Sequence, residues 1–528
     1  VIDISGSLIE EPDANAILML RQIFCLGKKL ELECSPARIK ATLENYHAIE
    51  SEVVPPILSW DGDDLGTSQL DLSFSNSFDP SESLPLFDYR EGYRGSESDW
   101  YLEQLLRRLD FTSRALASLI GVFNPISGED TKGQGRFRHG PGAVADLRAD
   151  GFKYQFPNWP RKLDHVFPYD WCGSHTLVPE TFPSEHEPPS KLSAVPKTAK
   201  GPRLIAAEPV AHQWCQQKVG TWLASRFNAT QIGWFIDLGD QTLSQEMVRE
   251  SSISGELTTL DLSDASDRLS CRHIESLLRG NRSLLEAVHA VRTRWVVDRV
   301  QSGQPATFLK IKKFAAQGSA LTFPMQSLFF LACGLAACGV TCLEDLSHLK
   351  GKVRVYGDDI IVPKYAHEGM KLLLSHLGLK VNVEKSFSSG DFREACGMDC
   401  WRGYDVTPLK PKSLIPDTPE HIQGLIDTSN NFYRRGFWRI SQLLDSTIAE
   451  GGYHLPLVHV SSGVPSLVSF VRPDGSSLAK RWNKRFQRWE VKLSRIVKPA
   501  KSLRQDVSAT LLQYFTECPE PIFFLLKE

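Results

Sequence analysis

The 528-residue chain has eleven cysteines but no CxxC pair, which argues against a secreted disulfide scaffold and is the usage of a reducing compartment. Val1-Ile-Asp-Ile-Ser has neither the basic start nor the apolar run of a signal peptide. It also lacks an initiating Met, so the true start is expected to be trimmed or upstream. The single long apolar stretch, Ser327 to Leu343, is short for a bilayer and rich in Ala, Gly and Cys; it is expected to be a buried core helix, with no membrane span. No repeat of 20–50 residues is visible, which argues against a solenoid or propeller. What is present is a 41% hydrophobic composition over a long chain, enough to bury a large core and to exclude a collagen-like or wholly disordered protein.

The net charge of −3 conceals an asymmetry. Residues 1–100 hold 19 Asp/Glu against 7 Lys/Arg, whereas the remaining 428 carry 53 Lys/Arg against 44 Asp/Glu. Residues 60–84 are rich in Ser, Asp and Pro and read as a loop or mobile arm. Tyr101 to Ile120 has helical period, and a glycine-rich basic loop, residues 133–142, follows it without Walker or Rossmann spacing. Between Lys480 and Arg504 stand ten Lys/Arg and one acid, with Trp482, Phe486, Trp489 and Leu493 at helical spacing. The expectation is a helix with its aromatics inward and Lys480, Arg481, Lys484, Arg485 and Arg488 outward, either a solvated face or an RNA-backbone contact.

The chemistry lies between about Lys191 and Lys412. In Val353-Arg-Val-Tyr-Gly-Asp-Asp-Ile-Ile-Val362, alternation on both sides of Gly357-Asp358 predicts a β-hairpin with carboxylates at its tip. Adjacent acids in a tight turn repel unless a cation lies between them, although a Gly-Asp-Asp turn is also an ordinary solvent-exposed element. A second run, Leu257-Thr-Thr-Leu-Asp261, leads a strand to another acid, followed by a turn and a helix with Ile274, Leu277 and Leu278 on one face. If the two strands pair, three carboxylates converge, a set suited to two Mg²⁺ ions and in-line displacement at phosphorus. Asp264 and Asp267 also fit as acids at a helix N-terminus, the reading favoured for Asp264. The Gly318-Ser319 loop opens a helix with Leu321, Met325, Leu328 and Phe329 on one face and Ser319, Thr322 and Gln326 elsewhere. Lys197, Lys200 and Arg203 recur every three residues in an extended segment that Pro196 and Gly201-Pro202 keep from being helical; such a segment can pair with a triphosphate or be a surface hairpin. Cys333, Cys338 and Cys342, like Cys396 and Cys400, lack zinc-site partners and read as structural, and His273 as a helix-face residue.

In this order the segments resemble the motifs of viral RNA-dependent RNA polymerases, most closely the replicases of positive-strand RNA bacteriophages, the leviviruses. The resemblance rests on Val195-Pro-Lys with Lys200 and Arg203-Leu-Ile-Ala-Ala-Glu-Pro209, Ile236-Asp-Leu-Gly-Asp-Gln241, Asp261-Leu-Ser-Asp-Ala-Ser-Asp267, Tyr356-Gly-Asp-Asp359, Phe392-Arg-Glu-Ala-Cys-Gly397 and Asp405-Val-Thr-Pro408. It covers roughly residues 130–440, and the acidic N-terminal region carries no motif of it.

The resemblance implies an α+β right-hand fold of fingers, palm and thumb with an antiparallel palm sheet. The expected division is an acidic region at 1–100, fingers at 101–255, palm at 256–410, and thumb with basic helices at 411–528. It implies that Asp261 and Asp358 ligate the metals, two Mg²⁺ with Mn²⁺ as a substitute, and that Asp359 completes the site. Asp267 resembles the acid that senses the incoming ribose. Lys197, Lys200 and Arg203 resemble the fingers motif that meets the triphosphate, and Gly318, Ser319 and Thr322 the loop and helix beneath base and sugar. Gln326 stands where many relatives have Asn. Lys385 is the candidate general acid for leaving pyrophosphate, and spacing does not choose between it and Lys380. The implied partners are a single-stranded RNA template, ribonucleoside triphosphates, host translation elongation factors and a host RNA-binding protein, in the cytoplasm of a bacterial host. An inactive RNA-binding protein of the same fold, a narna-like or ourmia-like fungal virus polymerase and a reverse transcriptase are the competing readings.

Overall fold

The computed structural model describes residues 9–30, 32–56, 97–126, 135–147, 152–173, 184, 187–198, 201–301, 303–415, 418–461, 466–471, 480–491 and 507–517. The 60–84 segment and Lys200 lie outside the described residues. The chain divides into two compact units, one of Ile39–Val195, Leu204–Asp405 and Ser502–Glu528, the other of Val1–Arg38, Pro196–Arg203 and Val406–Lys501.

In the larger unit the strands are β1 (Ser190–Thr198), β2 (Gly201–Ala207), β3 (Leu257–Leu260), β4 (Leu262–Ser263), β5 (Trp295–Asp298), β6 (Thr307–Lys310), β7 (Arg354–Tyr356), β8 (Asp359–Pro363), β9 (Lys380–Val381), β10 (Phe392–Ala395), β11 (Met398–Trp401) and β12 (Tyr404–Asp405). The tip of the β1–β2 hairpin is grouped with the smaller unit. A three-stranded antiparallel sheet runs β3-β8-β7, and a four-stranded mixed sheet, with β1 parallel to β5 and β5 antiparallel to β6, runs β2-β1-β5-β6. The combination is α+β with an antiparallel sheet under its helices.

Behind the β3-β8-β7 sheet lies the helix Thr322–Ala337, with Gly334 against Val362 and Val353. Every residue of it except Phe323 is buried. A helix apolar on all sides belongs inside a large core, so the expected single apolar face is corrected to burial all round, Gln326 included. Among the described residues no helix is long and apolar enough to cross a membrane. A long helix, Glu97–Ile120, packs on it, and Thr112 Oγ1 donates to the Ala332 carbonyl at 3.0 Å. Leu105, Leu106, Leu109 and Ile120 of that helix are buried, which is the period read in the sequence. The helix Pro36–Glu52, here α1, buries Leu43 and Tyr46 against Leu192, Leu204, Val296 and Ile311.

The described start of the glycine-rich loop packs on the helix Val210–Ala229. Phe137 stacks on Trp214 at 5.4 Å, His139 lies 4.7 Å from the same indole, and a Cβ at Gly135 would stand 2.4 Å from the Lys218 carbonyl. Burial pushes the His139 imidazole down to about 3, so it packs as a neutral ring.

The smaller unit joins the helix Ala14–Cys25 to the segment after Asp405. Gln22 exchanges two 2.8 Å hydrogen bonds with the Leu409 backbone, and Arg21 Nε donates to Val406 O at 3.1 Å. Its C-terminal part holds the helices Pro419–Arg434 and Trp438–Glu450. The basic segment differs from expectation. Its described part is an antiparallel β-hairpin, Lys480–Asn483 with Arg488–Val491, rather than a helix.

Candidate active site

Strand pairing brings the acids together. β3 runs antiparallel to β8 with Leu260 opposite Ile360, so the next residues, Asp261 and Asp359, come level where the ladder ends. β7 and β8 close through Tyr356 opposite Asp359, leaving Gly357-Asp358 as the two-residue turn read in the sequence. Gly357 has φ +64°, and a Cβ there would stand 2.8 Å from the Phe323 ring. Only glycine meets both demands without strain. Its N–H donates to Ser327 Oγ at 2.9 Å, fixing the turn to the buried helix. Asp358 is exposed at the tip and Asp359 is half-buried.

The electrostatics record the crowding. Burial pushes the Asp359 carboxyl up to about 7, with the charges of Asp358 and Asp261 adding to it, while the Cys396 N–H at 3.1 Å from Oδ2 and the Lys385 ammonium act in the opposite sense. Asp261 Oδ2 accepts from Asn382 Nδ2 at 2.9 Å and from Lys385 Nζ at 3.2 Å, and the Asp261 N–H donates to Ser386 Oγ at 3.2 Å. Burial works against the charge of Lys385, but Asp261 beside it holds the ammonium above the ordinary lysine range overall. Lys380 is exposed on β9, opposite Ser263. It is therefore Lys385 that meets Asp261.

Asp261, Asp358 and Asp359 offer oxygen donors only, the chemistry that hard divalent cations take. Among the described residues no three His, Cys, Asp or Glu side chains form a ready-made cage. Asp261 and Asp359 each spend an oxygen on a neighbouring donor instead.

Beside this cluster, Asp267 lies on a short helix, Ala265–Arg268, with its carboxylate one-fifth exposed and paired with Lys313 at 3.1 Å. Asp264 precedes that helix at φ +53° and makes no side-chain cap. Gly318 has φ +134°, and a Cβ there would lie 1.9 Å from the Ala206 carbonyl, so the close approach of loop and strand requires glycine. Gln317 Nε2 donates to Ser266 Oγ at 2.8 Å, tying the loop to the Asp267 helix. Thr322 is buried and its hydroxyl donates to Ala316 O, while Ser319 Oγ sits at the mouth of the buried helix. Lys197 and Arg203 belong to the smaller unit, where burial first, then Lys410, Lys412, Lys28 and Arg203, lower the Lys29 ammonium.

On the basic hairpin Trp482 pairs with Trp489 across the strands, 5.4 Å between ring centroids, and both are exposed. The aromatics therefore point outward, the reverse of the expected inward stripe. Arg481 pairs with Glu490 at 2.9 Å, the Arg488 guanidinium lies over Phe486, and Lys484 and Arg485 are in the exposed turn.

Sequence reasoning missed Ser327, Asn382, Ser386 and Lys313, each of which positions a motif residue. None carries a local signal, because each acts on a partner between 30 and 125 residues away. Cys333, Cys396 and Cys400 are buried, and burial pushes the Cys396 thiol up to about 12. His273 is buried in a capping box with Ser270, its ring stacked on Phe329.

A family model described as "RNA replicase, beta-chain" matches residues 168–436. The RNA-directed RNA polymerase subunit beta of Escherichia virus Qbeta is 32% identical over 330 residues, 61% of this chain and 51% of the relative. The RNA-directed RNA polymerase beta chain of Escherichia phage MS2 is 32% identical over 274 residues, 52% and 45% respectively. The chain spans about half the length of the Qbeta relative it matches. Among solved structures, the RNA-dependent RNA polymerase of a human picorbirnavirus aligns over 84% of this chain and 87% of its own, at 12% identity and a TM-score of 0.41.

Proposed function

Because the chain belongs to the family of RNA replicase beta-chains, we propose that it is an RNA-dependent RNA polymerase that copies a viral positive-strand RNA genome by nucleotidyl transfer. The observation that carries the reading is the level placement of Asp261 and Asp359 at paired strand ends, with Asp358 at the adjoining turn and Lys385 against Asp261.

Asp261, Asp358 and Asp359 would hold two Mg²⁺ ions, or Mn²⁺ in their place, which would lower the pKa of an attacking hydroxyl and neutralise leaving pyrophosphate. Lys385 is the proton donor to that pyrophosphate, its ammonium kept charged by the acid beside it. Lys197, Lys200 and Arg203 meet the triphosphate, Asp267 the ribose, and Gly318, Ser319 and Thr322 the base and sugar from below. Lys480, Arg481, Lys484, Arg485 and Arg488 contact the RNA backbone. The fingers, palm and thumb are assigned to 101–255, 256–410 and 411–528. Template RNA and ribonucleoside triphosphates are the substrates, host elongation factors and a host RNA-binding protein the partners, and the bacterial cytoplasm the setting.

The test is incorporation of labelled ribonucleotides on single-stranded RNA with Mg²⁺, with and without bacterial lysate, for the parent and Asp358→Asn. The variant should lose about 10²–10³-fold or more of the rate while RNA binding, carried by dispersed Lys and Arg, persists. An unimpaired variant would remove the carboxylates from the chemistry. A parent that binds RNA and never synthesises it would make the chain an inactive RNA-binding protein. Since Asp359 keeps its proton to about 7, the rate should climb with pH through neutrality, and more Mg²⁺ should move that rise to lower pH, because cation and proton compete for one carboxylate.

A further inference from the structure

Lys313 carries no motif, yet its side chain is fully buried. A buried ammonium is costly unless it is closely paired. Its Nζ lies 3.1 Å from Asp267 Oδ1, 3.7 Å from Glu50 Oε2 and 3.4 Å from the centroid of the Tyr46 ring. Tyr46 and Glu50 are one helical turn apart on α1, in the acidic N-terminal region to which the sequence assigned no role. The backbone holds this arrangement from both sides. Phe314 N–H donates to Leu269 O at 2.7 Å and Cys271 N–H to Lys312 O at 3.0 Å, so the Lys313 segment runs beside the end of the Asp267 helix. Glu50 Oε1 accepts the Lys312 N–H, and Lys312 Nζ reaches Ser51 O at 3.1 Å. Arg268, next to Asp267, pairs with Glu52 at 3.0 Å. Three successive α1 residues thus grip the two chain segments that carry Lys313 and Asp267.

The consequence falls on Asp267. Lys313 takes Oδ1, whereas Oδ2 has no hydrogen-bond partner among the described residues, and the carboxylate is one-fifth exposed. A carboxylate so oriented accepts a hydroxyl proton at one place, and a ligand without that hydroxyl leaves it unpaired, the condition under which a site rejects the lesser analogue strongly. We propose that Lys313, clamped under Tyr46 and Glu50 of α1, is a positioning residue that sets ribonucleotide over 2′-deoxyribonucleotide selection by fixing the carboxylate of Asp267. This rests on the polymerase reading above and on Asp267 meeting the ribose.

The experiment measures kcat/KM for a ribonucleoside triphosphate and for its 2′-deoxy counterpart, using the full chain on RNA template with Mg²⁺ and bacterial lysate. Lys313→Met should lower the ribo/deoxy ratio by about tenfold or more, through loss of the ribonucleotide value with the deoxy value held. Glu50→Gln leaves Asp267 as the sole anionic partner of Lys313, so its ratio should hold or rise. A merely structural lysine would instead lower both substrates together, and an unchanged ratio in Lys313→Met overturns the proposal. A fall in Glu50→Gln as large as that in Lys313→Met overturns it too. Should Lys313→Met fail to fold because Glu50 is left unpaired, Lys313→Met with Glu50→Gln removes both charges and should show the same loss of ratio. If that pair also fails to fold, Lys313 serves stability alone and the proposal falls. A parent that incorporates neither substrate defeats the polymerase reading itself, whereas an active parent with an unmoved ratio defeats only the role of Lys313.

Discussion

Two β-hairpins in this chain share a local plan and differ in everything around it. In β7–β8 the flanking residues Val355, Ile360, Ile361 and Val362 are buried, and the acids emerge only at the turn. In the basic hairpin Trp482, Phe486 and Trp489 are exposed, and among the described residues each strand pairs only with the other. A two-stranded hairpin is marginal alone, whereas one seated on a core has its register fixed by burial. Burial lets the first hold carboxylates in a costly arrangement; exposure leaves the second free to meet a flexible ligand. Exposed aromatics amid Arg and Lys make a surface on which unpaired bases can stack while cations meet phosphates.

The largest effect expected is at the buried turn. Gly357→Ala must relieve both a positive φ and a 2.8 Å approach to Phe323, so it should cost on the order of 2–3 kcal/mol, read as a fall in Tm, with synthesis lost alongside. An unchanged Tm would mean that the turn is not held by the core. Trp482→Ala and Trp489→Ala should each weaken single-stranded RNA binding by about 1–3 kcal/mol in a filter or anisotropy titration, with Tm hardly moved. If RNA affinity stayed put while Tm fell, the indoles would be packing groups and the contrast between the hairpins would collapse. The smallest effect is at Gln487, which holds φ +50° in the basic turn. Gln487→Gly should relieve about 1 kcal/mol and slow hydrogen exchange of the hairpin amides alone, leaving synthesis intact.

Much of the acidic site was legible in the sequence. Alternation around Gly357-Asp358 and the β-favouring run to Asp261 are local patterns, and the structure pairs those strands with the acids level. The helix at Tyr101–Ile120 followed from its period in the same way. Legibility ended where one spacing served two structures. Trp482 and Trp489, seven residues apart, lie on one side of a helix, but across a four-residue turn they are also opposed on a hairpin. Lys380 and Lys385 were equivalent by distance along the chain, and only the path through Asn382 brought Lys385 to Asp261.

The order of the strands and helices around the acids, the hairpin with its glycine, and the family resemblance can all be read along the chain, because these depend on neighbours within a few residues. That α1 reaches the Asp267 helix, that Lys313 is buried between Tyr46 and Glu50, and that Ser327 anchors the Gly357 turn emerge only in the folded molecule. Those contacts join residues between 30 and 267 positions apart. A side chain's partner at such separation is set by how whole elements pack to bury their apolar faces, and no local period encodes it.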